Sequence, residues 1–220
     1  HNITLTSVDP HAPLMLGNGN LGFTADITGL QTFPERYSPV APLLTMAQWA
    51  WHSFPNPNGY TEADVLVQVP VPGGGTQPYP WIRDWAELDT RPALKWLREN
   101  PHRFNLGRIG LALHRADGSQ AAFADLTATS QTLDLWTGTL TSSFTFDGRP
   151  VTVETRVAAG RDAVLVSIRS PLVASGRVGV DVPDVSRQPL LHGGEVHRSQ
   201  TVMRIGDASV VRTNRPLEVA

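Results

Sequence analysis

Apolar and polar positions alternate along most of this chain, and the alternation predicts strands. The segment "PLMLGN" is apolar, and "NLGFTADIT" places Leu21, Phe23, Ala25 and Ile27 on one face of a period-two pattern. Between them, Gly17, Asn18, Gly19 and Asn20 tolerate the positive φ of a tight turn, so the stretch reads as a β-hairpin. "GLQTF" reads as a turn entering another strand. Residues 34–60 break the pattern, with Pro34, Pro39, Pro42, Pro55 and Pro57 leaving room only for a short helical turn around Leu43 to Ala50. Such long excursions between strands often carry function. "VLVQVPV" (65–71) reads as a short strand and "PGGGTQPYP" as an exposed loop.

One helix is predicted, over "TRPALKWLREN" near 90–100. Thr90 is its expected cap, and Pro92 falls in the first turn, where a missing N–H costs nothing. Ala93, Leu94, Trp96 and Leu97 give it an apolar face, and the pre-proline Asn100 ends it. From residue 104 onward strand follows strand, with turns at Asp117-Gly118, Asp147-Gly148 and Ala159-Gly160. "LTSSFTF", "RPVTVETRV" and "AVLVSIRS" form a meander that "GRVGVDV" continues, and "TVMRIGDASVVR" adds a last hairpin. The expected fold is mainly β, an antiparallel β-sandwich with one short helix, in a single domain spanning 1–220.

Composition narrows the function classes. A chain of 220 residues, 40% hydrophobic, can bury a sizeable core. Its net charge of −2 offers no basic stripe for phosphates, so no nucleic acid is expected as a partner. No apolar run approaches the roughly 18 residues of a membrane span. With no cysteine, disulfide and thiolate chemistry are excluded. The 19 Gly and 18 Pro point to many turns rather than disorder. The chain starts at His1, so either a leader has been removed or the chain is a trimmed piece. The sequon Asn2-Ile3-Thr4 matters only in a glycosylating host.

The histidines at 1, 11, 52, 102, 114, 192 and 197 show no metal-binding spacing. His192 and His197 flank Glu195 in "LHGGEVH", which reads as a solvated loop before it reads as a metal site. Asp84 with Glu87, and Glu62 with Asp64, are the nearest carboxylate pairs. Neither has a context that would raise the pKa of a general acid. The glycines of "GNGNLG" lead into a strand and not into a helix N-terminus, so they hold no phosphate. The aromatic segments stand apart. "QWAWHSFPNPNGY" and "YPWIRDW" place Trp49, Trp51, His52, Asn56, Tyr60, Tyr79, Trp81, Arg83 and Trp85 on proline-rich, irregular backbone. A sugar ring stacks its C–H face on such an aromatic and takes fixed hydrogen bonds from neighbours. Trp49, Trp51, His52, Asn56, Trp81, Arg83 and Trp85 are the candidate carbohydrate-binding residues. The bland alternative is that these rings pin loops or pack on another domain.

The run "PLMLGNGNLGFTADITGLQTF", followed by "WAWHSFPNP", resembles the start of bacterial six-hairpin, (α/α)6-barrel glycoside hydrolases related to α-L-fucosidases and disaccharide phosphorylases. The likeness covers about the first 60 residues: Leu16, Gly17, Asn18, Gly19, Leu21 and Gly22 in the hairpin, then Trp49 to Pro57. It implies a supersandwich similar to galactose mutarotase, joined to a C-terminal helical barrel that carries the catalytic carboxylates and an inverting mechanism. No paired long helices follow residue 100, so the chain is expected to be the accessory domain alone. Its expected partners are carbohydrate and the barrel of the same parent chain, with a homodimer left open. No catalytic residue, metal or cofactor is assigned to it, and a soluble periplasmic or extracellular setting is expected. The rivals are a free-standing carbohydrate-binding module and a mutarotase-like sugar epimerase, the latter using His102 with Glu99 or Asp84.

Overall fold

A computed structural model describes residues 2–38, 40–103, 105–182, 201–205 and 208–212. In chain order its elements are β1 (Ile3–Leu5), β2 (Leu14–Gly17), β3 (Leu21–Ala25), β4 (Thr45–Ala47), β5 (Trp51–His52), β6 (Val67–Pro70), β7 (Thr76–Tyr79), α1 (Pro92–Arg98), β8 (His102–Arg103) and β9 (Gly110–Leu113), then β10 (Leu126–Asp134), β11 (Thr139–Phe146), β12 (Arg149–Val157), β13 (Val164–Arg169), β14 (Val178–Asp181), β15 (Thr201–Ile205) and β16 (Ala208–Arg212). Short 3-10 turns lie between some of them. The protein is mainly β, every strand pairing is antiparallel, and α1 is the one α-helix among the described residues. Two compact units are present: Gln48–Phe104, and His1–Ala47 with Asn105–Ala220.

The larger unit holds a five-stranded sheet in the order β1-β10-β11-β12-β13, a three-stranded sheet β2-β3-β4 and the pair β9–β14. Period-two patterning decides which faces close on each other. Leu140, Ser142, Phe144 and Phe146 of β11 are buried, as are Val151, Val153 and Thr155 of β12. The apolar ones share one core with Leu14, Leu16, Phe23 and Ala25 of the three-stranded sheet and Leu111, Leu113 and Val178 of the third. Sheets thus bury opposing faces on a common apolar layer, as a β-sandwich does. Each large side chain removed from water there contributes about 1.5–3 kcal/mol. The Asp147-Gly148 turn joining β11 to β12 has φ of 49° and 66°. Two positive values suit the twist of a two-residue hairpin, and Phe146 faces Arg149 across it. A bulge between Thr127 and Ser130 shifts β10 against β11. Ala128 there has φ 51°.

The β2–β3 hairpin forms as its residues predict, with Leu21, Phe23 and Ala25 buried on one face. Ile27 is buried too, but beyond the strand end. Asn18 organises the turn. Its Oδ1 accepts from the Asn20 and Leu21 amides (2.9 and 2.7 Å). Its Nδ2 faces the Ala158 and Arg161 carbonyls (2.9 and 3.1 Å) and Asp162 Oδ1 (3.2 Å). One side chain therefore ties two distant turns together. Asn18→Ala is expected to lower the unfolding free energy by about 2 kcal/mol, read from urea denaturation.

Five local expectations are corrected. β14, within "GRVGVDV", pairs with β9 and does not continue the β11–β12–β13 meander. "GLQTF" leads into a 3-10 turn at Pro34–Arg36 and not into a strand. The helical turn around Leu43 to Ala50 is absent: Thr45–Ala47 is strand β4, with Thr45 opposite Phe23 and Ala47 opposite Leu21. The free edge of β3 recruits this segment and buries Thr45 and Ala47, which outweighs a weak local preference. Within "PGGGTQPYP", Thr76–Tyr79 pairs with β6 as a hairpin. Gly73, Gly74 and Gly75, all at positive φ, make its turn, and Pro78 is accepted because β7 pairs with β6 alone. The helix is Pro92–Arg98, as predicted, but its N-cap is Arg91, without a side-chain cap bond. The Thr90 hydroxyl donates instead to the Glu87 carbonyl (3.0 Å), closing the preceding 3-10 turn. The predicted last hairpin is present as β15 and β16, whereas the "LHGGEVH" stretch lies outside the described residues.

Candidate functional site

The predicted site residues all belong to the Gln48–Phe104 unit. Its buried apolar residues among those described are Ala50, Val65 and Leu94. With so little core, side-chain bonds to backbone hold its loops. Arg91 donates to the Trp81 carbonyl (2.8 Å) and to the Val65 carbonyl (3.0 Å), bridging two loops. Trp96 Nε1–H donates to the Pro55 carbonyl (2.9 Å), and its ring centroid lies 6.3 Å from that of Tyr60. Asn100 accepts from the Phe54 amide (2.6 Å) and donates to the Trp96 carbonyl (2.7 Å). Arg103 donates to the Gln48 carbonyl. Arg91, Trp96, Asn100 and Arg103 were not among the sequence candidates. They are the supports that hold the aromatic loops.

On this frame the tryptophans face water. Trp49 and Trp51 are 58% and 51% exposed, Tyr79 60% and Trp81 40%. Trp49 lies in the turn before β5, and Trp51 on β5 pairs with Arg103 of β8. Trp81 and Arg83 come together, the guanidinium carbon 6.0 Å from the ring centroid, within cation–π range. Asn56 turns inward on its own loop: it donates to the Tyr60 carbonyl (2.8 Å) and accepts from the Tyr60 amide (2.9 Å). Its amide is therefore committed to loop closure. His52 lies on β5 opposite His102, and Trp85 opens a 3-10 turn; the side chains of His52 and Trp85 lie outside what is described.

The carboxylate pairs serve local turns. Asp84 accepts from the Ala86 amide (2.8 Å) as an N-cap, and Glu87 accepts from the Arg83 amide (3.3 Å) and pairs with Arg91 at 3.8 Å. Asp64 accepts from the Thr61 amide and hydroxyl (2.7 and 2.8 Å), which hold its carboxyl below the usual range. A catalytic acid needs the opposite shift. His102 lies with its ring 6.0 Å from that of Phe54. Among the described residues no three His, Asp or Glu converge as a metal site, and no helix is long and apolar enough to cross a membrane.

One exposed ring lies elsewhere. Trp136, at the β10–β11 turn of the larger unit, is 97% exposed. The signal for it was legible: Asp134 and Gly138 mark a turn around "LWT", a place where a core residue has nothing to pack on. No family model matches the chain, and no curated protein sequence matches it.

Proposed function

We propose that this chain is a non-catalytic domain of a carbohydrate-active enzyme, a sandwich scaffold whose Gln48–Phe104 unit offers aromatic surface to a sugar. The observation that carries the reading is the exposure of Trp49, Trp51, Tyr79 and Trp81 within one small unit. Four aromatic rings left largely in water by one small unit are more than scattered surface residues need, and they mark a candidate binding surface. Arg83 beside Trp81 supplies the donor that a stacked ring needs for its hydroxyls. The Asp84, Glu87 and Asp64 carboxylates have turn-closing duties, which fits a parent enzyme whose acid and base lie elsewhere. This reading takes its parent enzyme from the resemblance to six-hairpin glycoside hydrolases: the machinery would belong to a C-terminal helical barrel, and this surface would serve the substrate entrance. A periplasmic or extracellular setting belongs to the same reading.

Calorimetric titration with neutral oligosaccharides tests it. A Trp49→Ala/Trp51→Ala/Trp81→Ala variant is expected to bind about tenfold or more weakly, with its unfolding transition unchanged, since none of the three rings is buried. Equal affinity in variant and wild type would refute a sugar-contact role for this surface.

A further inference from the structure

The larger unit carries a second concavity. An open cleft of about 460 Å³ is lined by residues of the β2–β3 hairpin, the β10–β11 turn and the end of β12. Buried Leu16 and Leu133 form its floor. Met15 (63% exposed), Leu135 (55%) and Trp136 (97%) form its rim. None of its lining residues is charged. The backbone of the turn that carries Trp136 is tied: the Trp136 amide donates to Asp134 Oδ1 (2.9 Å), the Thr137 hydroxyl to Oδ2 (2.8 Å), and the Gly138 amide to the Asp134 carbonyl (2.9 Å). Asn18, which ties two turns together, also lines it.

We propose that this cleft binds a pyranose ring of a neutral glycan, with Trp136 as the stacking platform. The volume falls in the range of small-ligand sites, whereas partner proteins settle on flatter and larger faces. The uncharged lining gives no counter-charge to an acidic or cationic ligand. A ring bare on both faces matches the flat C–H face of a sugar. Gly17 and Gly138 are exposed and carry no side chain to block the cleft, and the Thr137 hydroxyl, whose proton goes to Asp134, keeps acceptor capacity for a sugar hydroxyl. Trp49, Trp51 and Trp81 are not among the residues that line this cleft, and the proposal stands whether or not those rings bind sugar.

The six tryptophan indole N–H resonances of the labelled full chain report on both sites at once. Trp136→Phe assigns the relevant signal. Maltohexaose, cellohexaose and xylohexaose are titrated to about 10 mM, where single-ring stacking still registers, with hexagalacturonate as the charged control. At least one neutral hexasaccharide is expected to shift the Trp136 indole and the Thr137 and Gly138 amides. Trp136→Ala, at an exposed position, is expected to weaken that binding about tenfold, and Trp49→Ala/Trp51→Ala/Trp81→Ala to leave it unchanged. Silence of the Trp136 signal with every neutral sugar would overturn the proposal. So would affinity that survives Trp136→Ala, or equal binding of hexagalacturonate. Shifts confined to the other indoles would overturn this site and leave the Gln48–Phe104 reading standing.

Discussion

Asp26→Ala is expected to lower the unfolding free energy by about 4 kcal/mol, because a fully buried carboxyl organises the crossing from β3 into the core. Asp26 Oδ1 accepts from the Thr28 amide (2.7 Å) and hydroxyl (2.5 Å), and Oδ2 from the Phe33 amide (2.7 Å). Its carbonyl accepts from Gln131 Nε2 (2.6 Å) and from the Gly29 amide (3.0 Å). Alanine would leave the buried Thr28 and Phe33 N–H groups unpaired. Asparagine keeps one acceptor but turns an NH2 toward the Phe33 amide, so Asp26→Asn should cost less, about 2 kcal/mol at neutral pH.

Burial pushes the Asp26 carboxyl up to about 6, against the lowering effect of the Thr28 and Phe33 bonds. The folded state therefore holds this proton more tightly than the unfolded chain does. The stability this confers is complete below the ordinary carboxylate range and is lost as pH rises through about 6. Wild type and Asp26→Asn should thus differ most near pH 4. The gap should narrow by on the order of 3 kcal/mol by pH 8. Urea midpoints across that range measure it, and a gap independent of pH would refute the shift. Asp64, Asp117, Asp125 and Asp134 work in the other direction. Hydrogen bonds from Thr61, Ser119, the Ala122 amide and Thr137, respectively, hold their carboxyls low. Their contribution is lost only as pH falls below the ordinary carboxylate range, so it does not mask the Asp26 window. Burial and the Asp26 charge together raise the hydroxyl of Tyr37, which accepts from the Ile27 amide (3.1 Å).

Gly29→Ala is expected to cost about 3 kcal/mol. Gly29 has φ +90°, outside the range L-residues favour. A Cβ there would lie 2.9 Å from Ser142 Oγ, 3.1 Å from Ser142 Cβ and 3.3 Å from Val153 Cγ1. Ser142 and Val153 belong to the inner face of the five-stranded sheet and are fully buried, so neither can withdraw without disturbing the core. The Gly29 carbonyl also accepts from the buried Thr155 hydroxyl (2.8 Å), which holds this backbone against the sheet. Gly118 supplies the control: its φ is +82° and nothing lies within 4 Å of an added Cβ. Gly118→Ala should therefore carry the backbone cost alone, about 1 kcal/mol. Thermal or urea unfolding of both variants separates strain from collision, and equal losses would remove the collision argument.

The aromatic surface was half legible. Proline-rich, aperiodic backbone around Trp49, Trp51 and Trp81 gave these rings nowhere to pack within their own segments, and they are exposed. Asn56 carries the right chemistry, but its amide is committed to Tyr60, a contact between loop residues that spacing cannot assign. Trp136 lies just past the alternation of β10, on the turn that Asp134 and Gly138 mark. Leu133 is indeed buried, while Leu135 and Trp136 fall on the turn and face water.

By itself the sequence determined the antiparallel β class, the β2–β3 hairpin, the β11–β12–β13 meander and the single helix. Each rests on residues within one strand's reach: side-chain period, turn glycines, and proline at a helix start. Only the tertiary structure decided that Thr45–Ala47 extends the β3 edge, that Arg91 bridges two loops, that Asp26 lies in the dry core, and that Trp136 stands over a cleft. Pairing, desolvation and exposure depend on which distant surfaces meet. Residues far apart in the chain, such as Asp26 and Gln131 or Met15 and Trp136, acquire their environment only when the sheets close.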